Sequence, residues 1–245
     1  MKLYDTLIIG SGYFSVGYAL SRGNSLICEE HQICDVGFYL PMRAFSYKHY
    51  EPKTAEGRSL FNLFDSLSLF GGREQNVNRF EFAFCKYILD CPVELLLKCR
   101  VVSAEKGEDG IYDVTLQTNA GLTGVRAREI LNTTSSGTDK RHTTLFVSDE
   151  AGAQEVANVF SGSFVEKAFY KDRYALHLPV GIEDENEIKA RVYEKWVSSG
   201  IKAKLLYMAP VFYSEDSQSK ACDYSYGNPI EAFEAGFFLG KEQEK

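Results

Sequence analysis

Two apolar runs of strand length frame a helical stripe at the start of the chain. Leu3 to Ile9 is the first run and stops at a glycine-rich turn, and Ser25 to Cys28 is the second. Between them, Tyr13 to Arg22 reads as a short helix that Gly23 and Asn24 bring to an end. Short apolar runs bounded by glycine suit strands buried on both faces of a parallel sheet. Strand, turn, helix and strand together make one βαβ unit in about 30 residues.

The period is then lost. Residues 35–58 are rich in Gly, Pro and aromatics and read as a long irregular excursion, a kind of segment that often forms part of a ligand site. Leu60, Leu63, Phe64, Leu67 and Phe70 recur at helical spacing, and Phe80 to Leu89 carries a second apolar helix face. Their plain role is core packing. Val93 to Leu97 reads as a third parallel strand. Arg100 to Glu105, Tyr112 to Thr118 and Thr123 to Arg126 are separated by Gly-Glu-Asp-Gly and Asn-Ala-Gly turns, the pattern of an antiparallel meander. Glu129 to Thr133 returns as an apolar strand that runs into Thr134-Ser135-Ser136-Gly137.

Beyond this point the pattern changes. Phe160 to Phe169, Arg173 to Pro179 and Lys202 to Tyr213 read as strands with several aromatics. Glu183 to Ser199 reads as a helix, with Ile188, Val192 and Trp196 four residues apart. A smaller α+β lobe is expected over 143–217. A last helix runs from Pro229 to Glu242. Asn228 is placed to cap it, Pro229 takes its first position and Glu231 lies in its first turn.

Composition narrows the function classes. At 245 residues the chain has room for one or two domains, and 44% hydrophobic with 25% charged residues is ordinary for a globular protein. A net charge of −7 with no dense basic run argues against a nucleic-acid partner, since phosphate backbones are bound through clustered Lys and Arg. The six cysteines show no CxxC spacing and no His/Cys cluster of zinc type, so no metal is expected. Cys28 and Cys99 lie in apolar runs and read as small core residues, while Cys34 and Cys222 are the candidates for a reactive thiol. The first apolar run is too short for a signal core or a membrane span, so no membrane association and a cytoplasmic, reducing location are expected.

The candidate chemistry sits in the first turn, Gly10-Ser11-Gly12-Tyr13-Phe14-Ser15-Val16-Gly17. Gly10 makes the tight exit from the strand. Gly12 lets the backbone approach a diphosphate, which would then rest on the positive end of the following helix. Ser15 stands where a third glycine is usual and is small enough for close helix–strand packing. Glu29, at the end of the second strand, is placed to accept hydrogen bonds from an adenosine ribose, and its charge would repel a 2′-phosphate. The adjacent Glu30 is a second candidate for the ribose. In the setting of strand, turn, helix and strand, these residues point to a dinucleotide rather than to a bare glycine turn.

These residues, the meander and the turn Ile130-Leu131-Asn132-Thr133-Thr134-Ser135-Ser136-Gly137 resemble the FAD-dependent oxidoreductases with a glutathione-reductase type of FAD-binding fold. A later segment, Gly227-Asn228-Pro229-Ile230-Glu231-Ala232-Phe233-Glu234-Ala235-Gly236, is similar to the helix that this family places near the flavin. The resemblance covers 1–142 and 218–245, with 143–217 as a cap lobe. It implies an α/β fold in which a Rossmann-like FAD/NAD(P)-binding domain with a β-meander joins a smaller α+β lobe. It also implies FAD as a non-covalent cofactor, with Gly10, Gly12, Ser15 and Glu29 on the ADP half and Gly137 and Asn228 toward the flavin. The backbone near Val101 or Val102 would meet the adenine. Ser15 for glycine, the single Gly37 where a glycine pair often stands, and the longer Thr-Thr-Ser-Ser-Gly turn depart from the family pattern.

The implied activity is oxidoreduction of an unidentified small organic substrate. In such proteins the flavin carries out hydride chemistry and the protein positions and tunes it. No catalytic residue declares itself. Arg43, Tyr47, Lys48 and His49 lie in the irregular segment on a route past the flavin ring. His177 reads as a structural histidine in a strand, and His31 and His142 read as loop residues. No GxSxG elbow occurs to suggest a hydrolase. The alternatives are a non-catalytic dinucleotide-binding protein that kept the fold and, disfavoured by the meander, an NAD-only dehydrogenase. Aromatics in the second lobe suit either a substrate roof or a homodimer contact.

Overall fold

The computed structural model describes residues 1–30, 33, 49–70, 77–134, 141–167, 173–181, 185–208, 213–214 and 226–242. The N-terminal pattern folds as read: β1 (Leu3–Ile9), α1 (Tyr13–Arg22) and β2 (Ser25–Glu29). β1 and β2 are parallel, with Leu7 opposite Leu26 and Ile9 opposite Cys28. The chain continues through α2 (Ala55–Ser66), α3 (Val77–Leu89), β3 (Glu94–Leu97), β4 (Arg100–Lys106), β5 (Tyr112–Thr118) and β6 (Gly121–Asn132). One six-stranded sheet results, in the order β3-β2-β1-β6-β5-β4.

One strand does the work of two expected ones. The third meander run and the returning apolar strand are both β6. It is antiparallel to β5 over Gly121 to Ala127 and parallel to β1 over Arg126 to Asn132. No glycine or proline interrupts residues 126–129, so the strand runs on and changes partners instead of turning.

Alternation along the strands sorts the core into two layers. Ile8 and Ile27 face the helices, where they join Phe14, Phe64, Phe80, Phe84 and Phe233. Tyr4, Leu7, Leu26 and Cys28 face the other way and pack against Val114, Leu116, Val125 and Ala127 of the meander. The parallel sheet is therefore covered on both faces, which explains its unbroken apolar runs. The irregular reading of 35–58 stops short at its far end, because α2 begins at Ala55. Thr54 is its N-cap, with Oγ1 accepting from Gly57 N at 2.9 Å.

The last helix, α6 (Pro229–Glu242), lies directly on α1. A Cβ at Gly17 would stand 1.9 Å from the Phe233 carbonyl oxygen, and one at Gly236 would stand 2.0 Å from that of Phe14. The two backbones touch, and only glycine permits that approach. Between α6 and the first sheet in sequence lies the α+β unit: β7 (Arg141–Val147), α4 (Glu150–Val159), β8 (Phe164–Lys167), β9 (Tyr174–Val180), α5 (Glu185–Ser198), β10 (Leu205–Met208) and β11 (Tyr213–Ser214). Its sheet order is β10-β7-β9-β8, with β11 also paired to β7. Leu145, Val147, Leu176 and Leu178 pack against Val156 of α4 and Ile188, Val192 and Trp196 of α5.

Several sequence expectations need correcting in this unit. β7 and α4 are additions, and His142 lies in β7 rather than in a loop. The start of β7, Arg-His-Thr-Thr, lacks the apolar run that marks a strand, and α4 is rich in Ala and Gly, which blurs a helical stripe. Phe160 is the C-cap of α4, so the strand expected from there starts at Phe164. The strand expected over Lys202 to Tyr213 appears as β10 and β11, with 209–212 outside the described residues.

Candidate dinucleotide site

The turn after β1 is built around Gly10, whose φ of +101° belongs to the region that disfavours side chains. Its amide donates to the Cys28 carbonyl at 2.9 Å, and Thr133 N donates to the Ile9 carbonyl at 2.9 Å. The ends of β1, β2 and β6 are thus tied together under the turn. A Cβ on Gly10 would also press on Thr133 Oγ1 at 2.7 Å.

Ser15 sits on the strand side of α1, fully buried. Thr133 Oγ1 donates to the Ile9 carbonyl at 2.8 Å and lies 2.7 Å from Ser15 Oγ. A hydroxyl has one proton, so Ser15 is the donor in that pair. The position usually held by a third glycine therefore carries a hydrogen-bonded clasp between helix and sheet. Thr133 was not singled out from the sequence, and its only signal was a place at the end of the returning strand.

Gly12 is the N-cap of α1 with φ −71° and ψ −179°, ordinary extended backbone, and as a glycine it brings no side chain to cap the helix. Val16 N closes the first turn onto the Gly12 carbonyl at 3.2 Å. The amides of Tyr13, Phe14 and Ser15 precede that first helical bond, and together they make the positive end of the helix dipole. The other helix starts with described caps are closed by the chain itself. Thr54 caps α2, Asp149 accepts from Gly152 N at 2.7 Å in α4, and Asn228 Oδ1 accepts from Ile230 N at 2.8 Å in α6.

Glu29 stands beside this helix start and is 5% exposed. Its Oε2 accepts from Ser11 N at 3.0 Å and from Ser11 Oγ at 2.9 Å. Of the two adjacent acids, Glu29 turns to the glycine turn and Glu30 is exposed. Cys99 N donates to the Glu29 carbonyl at 2.9 Å, which brings the start of β4 to the end of β2. Val101 follows, half-buried, at a bulge: it pairs with Leu116, while Ser103 pairs with the next residue back, Thr115. Gly10, Gly12, Ser15, Glu29 and the Val101 strand thus converge on one edge of the parallel sheet.

Asn228 is buried and caps α6. The neighbouring Tyr226 ring stacks 6.3 Å from that of Phe14, so this segment lies along the first turn of α1. Gly137, Arg43, Tyr47, Lys48, His31, Cys34 and Cys222 lie outside the described residues. His49 is exposed, 3.9 Å from Glu51. Cys28 and Cys99 are buried side by side, and burial pushes both thiols up, which fits inert core residues.

A second buried carboxylate escaped the sequence reading. Glu234 of α6 has no exposed surface and accepts from Tyr50 Oη at 2.8 Å, Lys53 N at 2.8 Å, Thr54 N at 2.6 Å and Thr54 Oγ1 at 2.8 Å. It locks residues 50–54 and the head of α2 to α6. Burial, then the hydrogen bond to Glu234, pushes the Tyr50 phenol well up. In the second unit, the sheet face turned away from α4 and α5 is polar and aromatic. His177 Nδ1 lies 3.2 Å from Thr144 Oγ1, its ring stacks on Phe164 at 4.6 Å, and Phe146 lies 6.1 Å from Tyr207.

No family model matches the sequence, and no curated protein matches it. Solved structures do match. A geranylgeranyl bacteriochlorophyll reductase-like protein from Thermoplasma acidophilum aligns over 98% of this chain and 78% of its own, at 11% identity and a TM-score of 0.50. AlpK aligns over 86% of this chain at 12% identity and a TM-score of 0.50, and the chain spans 52% of its length. A flavoprotein/dehydrogenase from Cytophaga hutchinsonii aligns over 98% of this chain and 77% of its own, at 11% identity and a TM-score of 0.47. At such identities the likeness speaks to the fold. The protein has an α/β fold with a Rossmann-type parallel sheet and a meander. Among the described residues, no helix is long and apolar enough to cross a membrane.

Proposed function

We propose that the protein binds FAD without a covalent link and acts as an oxidoreductase on a small organic molecule. The observation that carries this reading is the pairing of a glycine-capped helix start with a buried carboxylate one strand away. The positive N-terminal end of α1, entered through a glycine cap, suits a diphosphate, and Glu29 suits the diol of the attached ribose. Gly10 keeps the cradle open, since a side chain there would drive into Thr133.

In this reading the backbone near Val101 borders the adenine, and the head of α6 at Asn228 lies toward the flavin. The bound flavin would supply the electron and hydride transfer. The chain's own part is to hold both halves of the cofactor and to exclude water from it. The second unit, with the His177, Thr144 and Phe164 face of its sheet, would supply the substrate walls.

The test is direct. Purified protein should carry a visible flavin spectrum, or gain one with quenched flavin fluorescence when titrated with FAD. Protein that stays colourless and leaves added FAD fluorescence unchanged would remove the reading.

A further inference from the structure

α3 buries one face against the core, where Phe80, Phe84, Tyr87 and Ile88 pack. Its outer face is not the polar one that such a helix normally shows to water. Leu89 is 86% and Phe82 72% exposed, and apart from Met1 they are the most exposed large apolar side chains among the described residues. A lone exposed apolar residue is ordinary, but these two lie on one stripe, about two helical turns apart. Arg79 and Lys86, both exposed, share that stripe. The positions 79, 82, 86 and 89 follow the three-four-three spacing of a coiled-coil seam. Arg79 Nη2 donates to the Leu67 carbonyl at 3.0 Å, which brings the exposed Leu67 to one end of the stripe. The exposed Asp90 follows Leu89 at the other end.

The order of these groups is self-complementary. Two copies of α3 laid antiparallel about a two-fold axis near position 84 set each Phe82 against the other copy's Lys86. Ring face and ammonium suit each other there. The same register lays the Arg79 stem on the other copy's Leu89 and brings its guanidinium to the other copy's Asp90. The two-fold axis makes each of these contacts twice. A parallel pairing would instead set Arg79 on Arg79 and Lys86 on Lys86, which repel. The whole chain carries −7, yet this stripe holds two bases and one acid, so it escapes the self-repulsion of the rest.

We propose that this face of α3 is the docking surface for a second copy of the chain, paired antiparallel about a two-fold axis. The sequence points a homodimer to the aromatics of the second unit; this contact lies in the first. One helix stripe on each side is small for a specific interface, so the dimer is weak and comes apart on dilution. The inference does not rest on the flavin reading.

The experiment is sedimentation of the full chain over a range of concentrations, with thermal melting alongside. The wild-type protein should pass from monomer to dimer between about 1 and 300 µM. Phe82→Ser/Leu89→Ser should stay monomeric throughout and melt as the wild type does, since both side chains are exposed. Arg79→Asp or Asp90→Arg alone should weaken the dimer by about fivefold, and the two together should restore it to within about twofold. A wild-type protein that stays monomeric overturns the proposal. So does a dimer that survives Phe82→Ser/Leu89→Ser, which would move the contact to the second unit, or one that the double charge exchange fails to restore. A monomer that sediments with phosphatidylglycerol vesicles through Phe82 and Leu89 also overturns it, in favour of a lipid surface.

Discussion

Two helices in this protein start next to a buried carboxylate, and they are entered through opposite kinds of cap residue, a glycine in α1 and a threonine in α2. At the head of α2 the chain supplies its own acceptors: Thr54 Oγ1 accepts from Gly57 N, and Glu234 accepts from the amides of Lys53 and Thr54. At the head of α1, Gly12 offers no side chain, and Glu29 accepts from Ser11, one residue before the helix cap. The first arrangement is a finished joint between α2 and α6. The second holds the carboxylate close to a helix start whose cap residue is a glycine, and in the proposed reading a diphosphate would rest there.

The largest effect should come from opening the finished joint. Glu234→Ala leaves the Tyr50 and Thr54 hydroxyls and two part-buried amides without their acceptor, and the loss should be about 3 kcal/mol. For a chain of this size that lowers the melting temperature by roughly 6–12 °C. ADP affinity should stay within about twofold of wild type, since Glu234 lies outside the ADP half. A large loss of ADP affinity with unchanged melting would reverse the roles assigned to the two carboxylates.

The converse experiment closes the open start. Gly12 has the extended backbone of an ordinary N-cap residue, so Gly12→Asp is free of backbone strain and supplies the missing cap. It also puts a negative charge where the diphosphate would rest. Melting should hold steady or rise slightly, by up to about 1 kcal/mol of stability. ADP and FAD affinity should fall by at least about a hundredfold, or about 2.7 kcal/mol. Retained affinity would mean that this helix start does not hold the phosphates.

The comparison also shows what the sequence could carry. The open start was legible because glycine at two positions, an apolar strand before and an acid after form a local pattern. The Asn228 cap was legible for the same reason, as it needs only Pro229 and the helix that follows. The closed joint was not: Glu234 reads as one more polar residue in an amphipathic helix, and its donors lie about 180 residues away in sequence. β6 was misread as two strands because a change of partner within a continuous strand leaves no turn residue to mark it. The Ser15–Thr133 clasp lies between these cases. Ser15 was visible as a departure from glycine, but its partner comes from a strand 118 positions away.

That clasp gives the smallest and most specific test. If Ser15 stands in for glycine only by being small, Ser15→Gly and Ser15→Ala should be neutral for the sheet edge. If the hydroxyl pair fixes α1 against β6, each single change that removes a hydroxyl should cost about 1 kcal/mol, in Ser15→Ala as in Thr133→Val. The double variant should then lose less than the sum, with a coupling of at least about 0.5 kcal/mol read from denaturant midpoints. Thr133 also bonds the Ile9 carbonyl, so its own loss should slightly exceed that of Ser15. Strict additivity would show that α1 is seated by its glycine contact with α6 rather than by this pair, and the open start would then owe its geometry to Gly17 and Gly236.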